Sequence, residues 1–169
     1  MALFFIANGA SPTTAAQVAV TTGTAIKTLL QVEPSATIIA KIKEWGISFD
    51  GSAAATPIKV ELLETDVAAT VTAHVAAGIV KMDADALSGG DPTTNLVQVG
   101  TANTGYTASA EGTITTSRMF DVQFIAPTNQ YVKQYPLGCE PQIQVSKFAR
   151  IRVTAGAAVN AYCYMIIEI

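Results

Sequence analysis

The sequence predicts an all-β chain, a two-sheet antiparallel β-sandwich of jelly-roll type. Three observations lead there. Thr, Val, Ile and Ala dominate, and Gly and Pro interrupt them at short intervals. Apolar residues recur with a period of two in several segments, as a half-buried strand requires. No capped amphipathic helix stands out: residues 15–20 and 65–77 are Ala-rich, but Thr and Val are interleaved through them. About eight to ten short strands joined by turns fit two packed sheets, and the jelly roll is the commonest closed arrangement of that kind. The chain of 169 residues reads as one domain, without an internal repeat or a linker.

The elements follow in order. Short strands are expected at 3–7, 16–21 and 25–32. Over 37–49 the pattern breaks phase: Ile38, Ala40 and Ile42 share one parity, and Trp45, Ile47 and Phe49 the other. A bulge near Lys43 or Glu44 brings both sets inward, because one extra residue flips the register. Trp45, the only tryptophan, is then a core anchor. Phe49-Asp50-Gly51-Ser52 is a turn, with Asp accepting backbone hydrogen bonds and Gly free to take positive φ. Pro57 opens the next strand, where Ile58, Val60 and Leu62 alternate with Lys59 and Glu61. Weaker strands are expected at 70–75, 78–82, 96–99 and 112–116. Residues 83–94, with Asp83, Asp85 and Asp91, read as an exposed loop.

Farther on, Phe120, Val122 and Phe124 alternate with Asp121 and Gln123, and a buried apolar row is expected there. Ile143, Val145, Ile151 and Val153 share one parity, so residues 142–154 form one long strand or two. In 159–169 one face holds Val159, Ala161, Cys163, Met165, Ile167 and Ile169. The other holds Tyr162, Tyr164, Ile166 and Glu168. A strand apolar on both faces belongs in the middle of a sheet or at a subunit contact.

Composition narrows the function. Ten basic and thirteen acidic residues leave a net charge of −3, which argues against a nucleic-acid binder. Half of the residues are hydrophobic, 14% are charged, and mean hydropathy is +0.36, which favours an assembly that hides part of its surface. No apolar run is long enough to cross a bilayer as a helix, and the segment after Met1 lacks the basic start of a secretory signal. Cys139 and Cys163 are expected to be reduced, buried thiols. Synthesis in a reducing cytosol follows.

The chemistry-bearing residues do not assemble into a catalytic motif. His74 is the only histidine, sits in a strand-like run, and is accompanied by no Gly-x-Ser-x-Gly elbow. His74, Cys139 and Cys163 lack the paired spacing of a zinc site. The 83–94 loop has Leu87 where a calcium loop needs oxygen. Glu61 and Glu64 are three apart, so in a strand they face opposite ways and do not share a substrate. Neither a phosphate loop nor a dinucleotide fingerprint occurs. The expectation is therefore a protein that is not an enzyme and takes no cofactor and no metal.

Two stretches suggest contact surfaces. Phe148, Arg150 and Arg152 share one parity, and Arg beside an aromatic is favoured at interfaces. Residues 1–26, without a charge until Lys27 and with Leu3, Phe4 and Phe5 near the start, form either an arm lying along a partner or the first strands of the sandwich. On the arm reading, removing residues 1–12 abolishes partner binding and leaves the fold intact.

Glu44-Trp45-Gly46-Ile47-Ser48-Phe49-Asp50-Gly51, followed by Pro57-Ile58-Lys59-Val60-Glu61-Leu62, resembles a family of small capsid-associated proteins of tailed bacteriophages. Ala149-Arg150-Ile151-Arg152-Val153-Thr154-Ala155 and Met165-Ile166-Ile167-Glu168 are similar to the same family. The resemblance implies a decoration or cement protein: a β-sandwich or jelly roll that sits as a homotrimer on the outside of the head. Its partners are then other copies of itself and the major capsid protein, with no nucleic acid and no membrane. Its place is the outer capsid surface of the virion, after synthesis in the host bacterial cytoplasm. The alternative is a jelly-roll binding module, lectin-like or from the receptor-binding part of a phage fibre, with Trp45, Tyr106, Tyr131 and Tyr135 stacking on sugars.

Overall fold

A computed structural model describes residues 2–12, 14–52, 56–82 and 96–169. In chain order the strands are β1 (Leu3–Ala7), β2 (Val20–Thr21), β3 (Lys27–Val32), β4 (Ala40–Asp50), β5 (Ile58–Thr65), β6 (Thr70–Ala73) and β7 (Ile79–Lys81). They continue with β8 (Gly105–Ala110), β9 (Ser117–Ile125), β10 (Gln130–Gln134), β11 (Gln142–Ile143), β12 (Phe148–Thr154) and β13 (Asn160–Glu168). A 3-10 turn, Ala76–Gly78, leads into β7.

The winding is that of a jelly roll. The first strand pairs with the last, β1 with β13, and the pairing nests inward: β3 with β12, β4 with β10, β5 with β9, all antiparallel. This is one long hairpin. Rolling it up brings β13 against β4 and β12 against β5. Sheet A is thus β10-β4-β13-β1, and sheet B is β3-β12-β5-β9. An excursion between β5 and β9 widens both: β7 adds beside β1, while β8 and then β6 add beside β3. The fold class expected from the alternation is the one observed.

Side chains explain the two layers. Phe4 and Ile6 of β1, Ile42, Trp45 and Ile47 of β4, and Ala161, Cys163, Met165 and Ile167 of β13 face inward from sheet A. They meet Leu30 and Val32 of β3, Ile58, Val60 and Leu62 of β5, and Ala149, Ile151 and Val153 of β12. The expected bulge is present: Ile166 pairs with Glu44 and Ile167 with Ile42, so Lys43 is the extra residue. It restores the inward parity of Trp45, which is fully buried. The Lys43 ammonium bonds Glu140 at 2.5 Å and Glu168 at 3.1 Å, tying the bulge to the β10–β11 connection and to β13.

Several expected elements differ. Ile38 and Ile39 precede β4 and are exposed. Residues 16–21 reduce to the short β2. Residues 96–99 form no strand; Val97 and Val99 make isolated bridges, with Pro34 and Thr104. Residues 112–116 form no strand; the amides of Thr115 and Thr116 donate to the Asp66 carboxylate at 3.2 and 3.1 Å in place of a ladder. Residues 142–154 divide into β11 in sheet A and β12 in sheet B, joined by a turn with Ser146 at φ 55°. Val145 therefore lies in a turn and is exposed. Residues 83–94 lie outside the described residues.

The largest departure is β9. Of its expected buried row, Val122 and Phe124 face solvent and Phe120 is half-buried against the core, whereas Asp121 and Ile125 point inward. A register shift opposite Leu62 and Leu63 makes Phe120 the extra residue. Asp121 is tolerated inside because Tyr131 Oη donates to it at 3.0 Å, Gln123 Nε2 at 2.9 Å, and the Lys133 ammonium lies at 3.3 Å. The cluster bridges β9 and β10, so it closes the open side of the sandwich.

Buried and bridging carboxylates make the fold acid-sensitive. Hydrogen bonds from Thr115 and Thr116 hold Asp66 at about 2, and the Lys43 bond holds Glu140 at about 2. Burial pushes Glu61 and Asp121 up, but their hydrogen bonds outweigh it and leave both below the ordinary range. Groups depressed on folding contribute stability that is fully present above their unfolded values and is lost as pH falls through the folded ones. Glu33, raised by burial, opposes this weakly. The melting temperature is expected to be level from pH 7 to about pH 5 and to drop steeply between about pH 4 and pH 2. A melting series across those values checks it; a level profile to pH 2 contradicts the assignment.

Candidate functional site

The surface best equipped for contact is the outer face of sheet A. Strand alternation places Leu3 and Phe5 of β1, Val80 of β7, Tyr162, Tyr164 and Ile166 of β13, and Val132 of β10 on that side. All are partly or fully exposed. Tyr164 lies flat over Gly46 on the neighbouring strand, and Phe5 stacks on Tyr164 with centroids 5.3 Å apart and planes at 25°. The Tyr164 hydroxyl donates to Glu44 at 2.5 Å. Burial and that carboxylate raise the phenol well above its ordinary value, so it stays a donor at every physiological pH. The result is a fixed aromatic ridge flanked by aliphatic side chains.

Gly46 is part of the device. A Cβ there would meet Tyr164 Cε1 at 2.6 Å. Gly46→Val is expected to lift the ring, break the stack on Phe5 and cost about 1–3 kcal/mol. Denaturant unfolding and near-ultraviolet circular dichroism read the two effects; a variant with wild-type values for both contradicts the packing.

The six contact residues expected from sequence separate. Leu3 and Phe5 belong to this face. Phe4, on the opposite parity, is buried in the core and unable to meet a partner. Phe148, Arg150 and Arg152 do share a face, the outer one of sheet B, but it is not an open basic patch. Arg150 is fully buried: Nη1 donates to the Glu111 carbonyl at 3.0 Å and lies 3.3 Å from its carboxylate, and Nη2 donates to the Val67 carbonyl. Burial pushes its pKa down and Glu111 partly restores it. The Arg152 guanidinium lies 2.8 Å from Glu61, which Lys59 also holds at 2.5 Å. Phe148 is half-buried at the end of the row. The covering segments, residues 66–69 and 111, come from the excursion after β5, and nothing in the local pattern of β12 announces them.

The N-terminal stretch takes the second of its two expected forms at 3–7, because β1 lies between β13 and β7. Residue 1 lies outside the described residues. The Asn8 amide locks the strand's exit, donating to the Ala161 carbonyl at 3.1 Å and accepting from the Cys163 amide at 2.9 Å.

Other singled-out residues are structural. His74 follows β6, is buried against Tyr106, and bonds the Ala7 carbonyl through Nε2 at 2.8 Å. Burial holds its pKa down. Glu61 and Glu64 point to opposite sides, Glu64 gripping Arg118 at 2.8 and 2.7 Å. Cys163 is a buried free thiol as expected; Cys139 is exposed, because it ends the turn after β10. Among the described residues, His, Cys, Asp and Glu form no group of three or more placed to hold a metal ion. The sugar-stacking aromatics are engaged: Trp45 is in the core with Tyr131 against it, and Tyr135 packs on the same core.

Sequence reasoning noted the apolar second face of β13 but missed Val132 and Val80, whose strands are too short to show a period. It also missed that Met119, Val122 and Phe124 are outside. The alternation of β9 was visible; its direction was not. Comparison of the chain with protein-family models, with curated proteins and with solved structures finds no match in any of the three.

Proposed function

We propose that this protein is a virion structural protein, a decoration or cement subunit that trimerises and binds the outside of a phage head through the outer face of sheet A. The observation that carries the reading is the aromatic and aliphatic ridge of Phe5 on β1, Tyr164 and Ile166 on β13 and Val132 on the edge strand β10, all on one face of sheet A. Such a ridge suits adhesion to another folded surface, since preordered aromatics lose little freedom on binding. The segments that resemble the decoration family lie in β4, β5, β12 and β13, at the centre of both sheets. Binding only to the assembled shell shifts assembly toward it by mass action, and three linked subunits add their modest contacts.

The test is co-sedimentation of the purified chain with heads that lack decoration, with its mass measured first. The expected mass is a multiple of three copies of the 17.6 kDa chain. Val132→Lys and Ile166→Lys are expected to keep the fold and lower head retention at least about tenfold, a loss of about 1.4 kcal/mol. A wild-type chain that stays in the supernatant sinks the proposal.

A further inference from the structure

Glu44 stands inside the contact face of sheet A. It pairs with Ile166 of β13 and Gln134 of β10, so its side chain shares their outward side. The next row, Val132, Gly46 and Tyr164, is also uncharged. Glu44 Oε1 accepts from the Tyr164 hydroxyl at 2.5 Å. Among the described residues no lysine or arginine forms an ion pair with it. Lys43, next to it in the chain, is committed to Glu140 and Glu168, and Lys41 lies opposite Glu168. The other strand carboxylates differ. Glu61 is held by Lys59 and Arg152, Glu64 by Arg118, Asp121 by Lys133 and Glu168 by Lys43. Asp50 ends β4 in open solvent, whereas Glu44 is half-buried.

The chain shows twice what a carboxylate holds when an aromatic ring stands beside it. Arg118 donates to Glu64 at 2.8 and 2.7 Å and lies 5.2 Å from the centroid of Phe120. The Lys133 ammonium lies 3.3 Å from Asp121 and 5.2 Å from the centroid of Tyr135. In both, one cation meets a carboxylate and a ring together. Glu44 beside the stacked rings of Tyr164 and Phe5 repeats that combination on the outer face. We infer that the partner seated on this face presents an arginine, which pairs with Glu44 and packs on the Tyr164 and Phe5 rings. The inference rests on the head-binding reading and names what the shell brings: a cation set in an apolar patch. Arginine fits better than lysine, because its guanidinium is planar, weakly hydrated and stacks on rings. The pair also discriminates, since a neutral or acidic patch would bury Glu44 without a counter-ion.

The experiment is co-sedimentation with undecorated heads at low and high salt, using wild type, Glu44→Gln and Glu44→Arg. Glutamine keeps the acceptor for Tyr164 and removes the charge, so its near-ultraviolet circular dichroism is expected to match wild type. Head retention at low salt is expected to fall at least about tenfold in Glu44→Gln and about a hundredfold in Glu44→Arg. Wild-type retention is expected to weaken with salt, and Glu44→Gln to lose most of that dependence. Heads whose arginines are blocked with phenylglyoxal are expected not to hold wild type, and heads with acetylated lysines to hold it. Equal retention of wild type and Glu44→Gln at low salt overturns the inference and leaves head binding standing. Undiminished binding to arginine-blocked heads does the same, and it decides the matter if Glu44→Gln does not fold. Wild type that heads never retain overturns both.

Discussion

Replacing Arg150 by methionine is expected to lower the unfolding free energy by about 3 kcal/mol, the low end of the range for breaking a buried ion pair. The guanidinium is fully buried on the outer side of β12, under residues 66–69 and 111. Methionine fills much of the volume but leaves the Glu111 and Val67 carbonyls without their donor. It also leaves the Glu111 carboxylate, which accepts from Thr28 N at 2.5 Å and Thr28 Oγ1 at 2.7 Å, without its cation. Unsatisfied polar groups and an uncompensated charge carry the cost, more than lost packing. Glu111 is partly exposed, so water softens the penalty. The double variant Arg150→Met/Glu111→Gln is expected to regain part of the loss, because it removes the orphaned charge. Urea unfolding of the two variants measures both effects. A loss below about 1 kcal/mol for Arg150→Met would mean that the charge reaches solvent, and the open-patch reading of β12 would return.

Removing residues 1–12 is expected to abolish cooperative folding. This reverses the outcome expected for a loose arm. Strand β1 sits between β13 and β7, and Leu3 to Ala7 pair with Tyr164 to Glu168 along their whole length. Phe4 and Ile6 are buried, and each contributes about 2–3 kcal/mol from burial alone. The Asn8 clamp is lost as well, and β13 becomes an apolar edge. Against a total stability of about 5–15 kcal/mol, these losses remove most of the margin. The measurement is a thermal melt of the truncated chain followed by near-ultraviolet circular dichroism. A sharp transition with wild-type side-chain signals would show that the strand is dispensable, and would restore the arm.

How the fold was legible is clearest in β4. Two apolar triplets of opposite parity in one short segment require an extra residue between them, and Lys43 is that residue. Periodicity decided this because Ala40 and Ile42 on one side of Lys43 and Trp45, Ile47 and Phe49 on the other are all inside; Ile38, the first of its triplet, lies before the strand and is exposed. The same logic fails in β9, where the strand lies at an edge with one side unpaired. Val122 and Phe124 faced out because the inward position was filled by Asp121, paid for by partners on β10 that are distant in pattern though near in sequence.

The sequence by itself, which did not place β8 or β10, determined the all-β class, the core row of β13, the bulge of β4 and the opposed directions of Glu61 and Glu64. Each follows from the backbone's period of two and from the cost of exposing apolar side chains to water. Only the tertiary structure decided that Arg150 is interior, that β1 is a sheet strand, and that the exposed apolar surfaces are the outer face of sheet A and the edge of β9. These depend on what covers a strand. Covering segments come from distant parts of the chain, and a strand's own residues do not encode them.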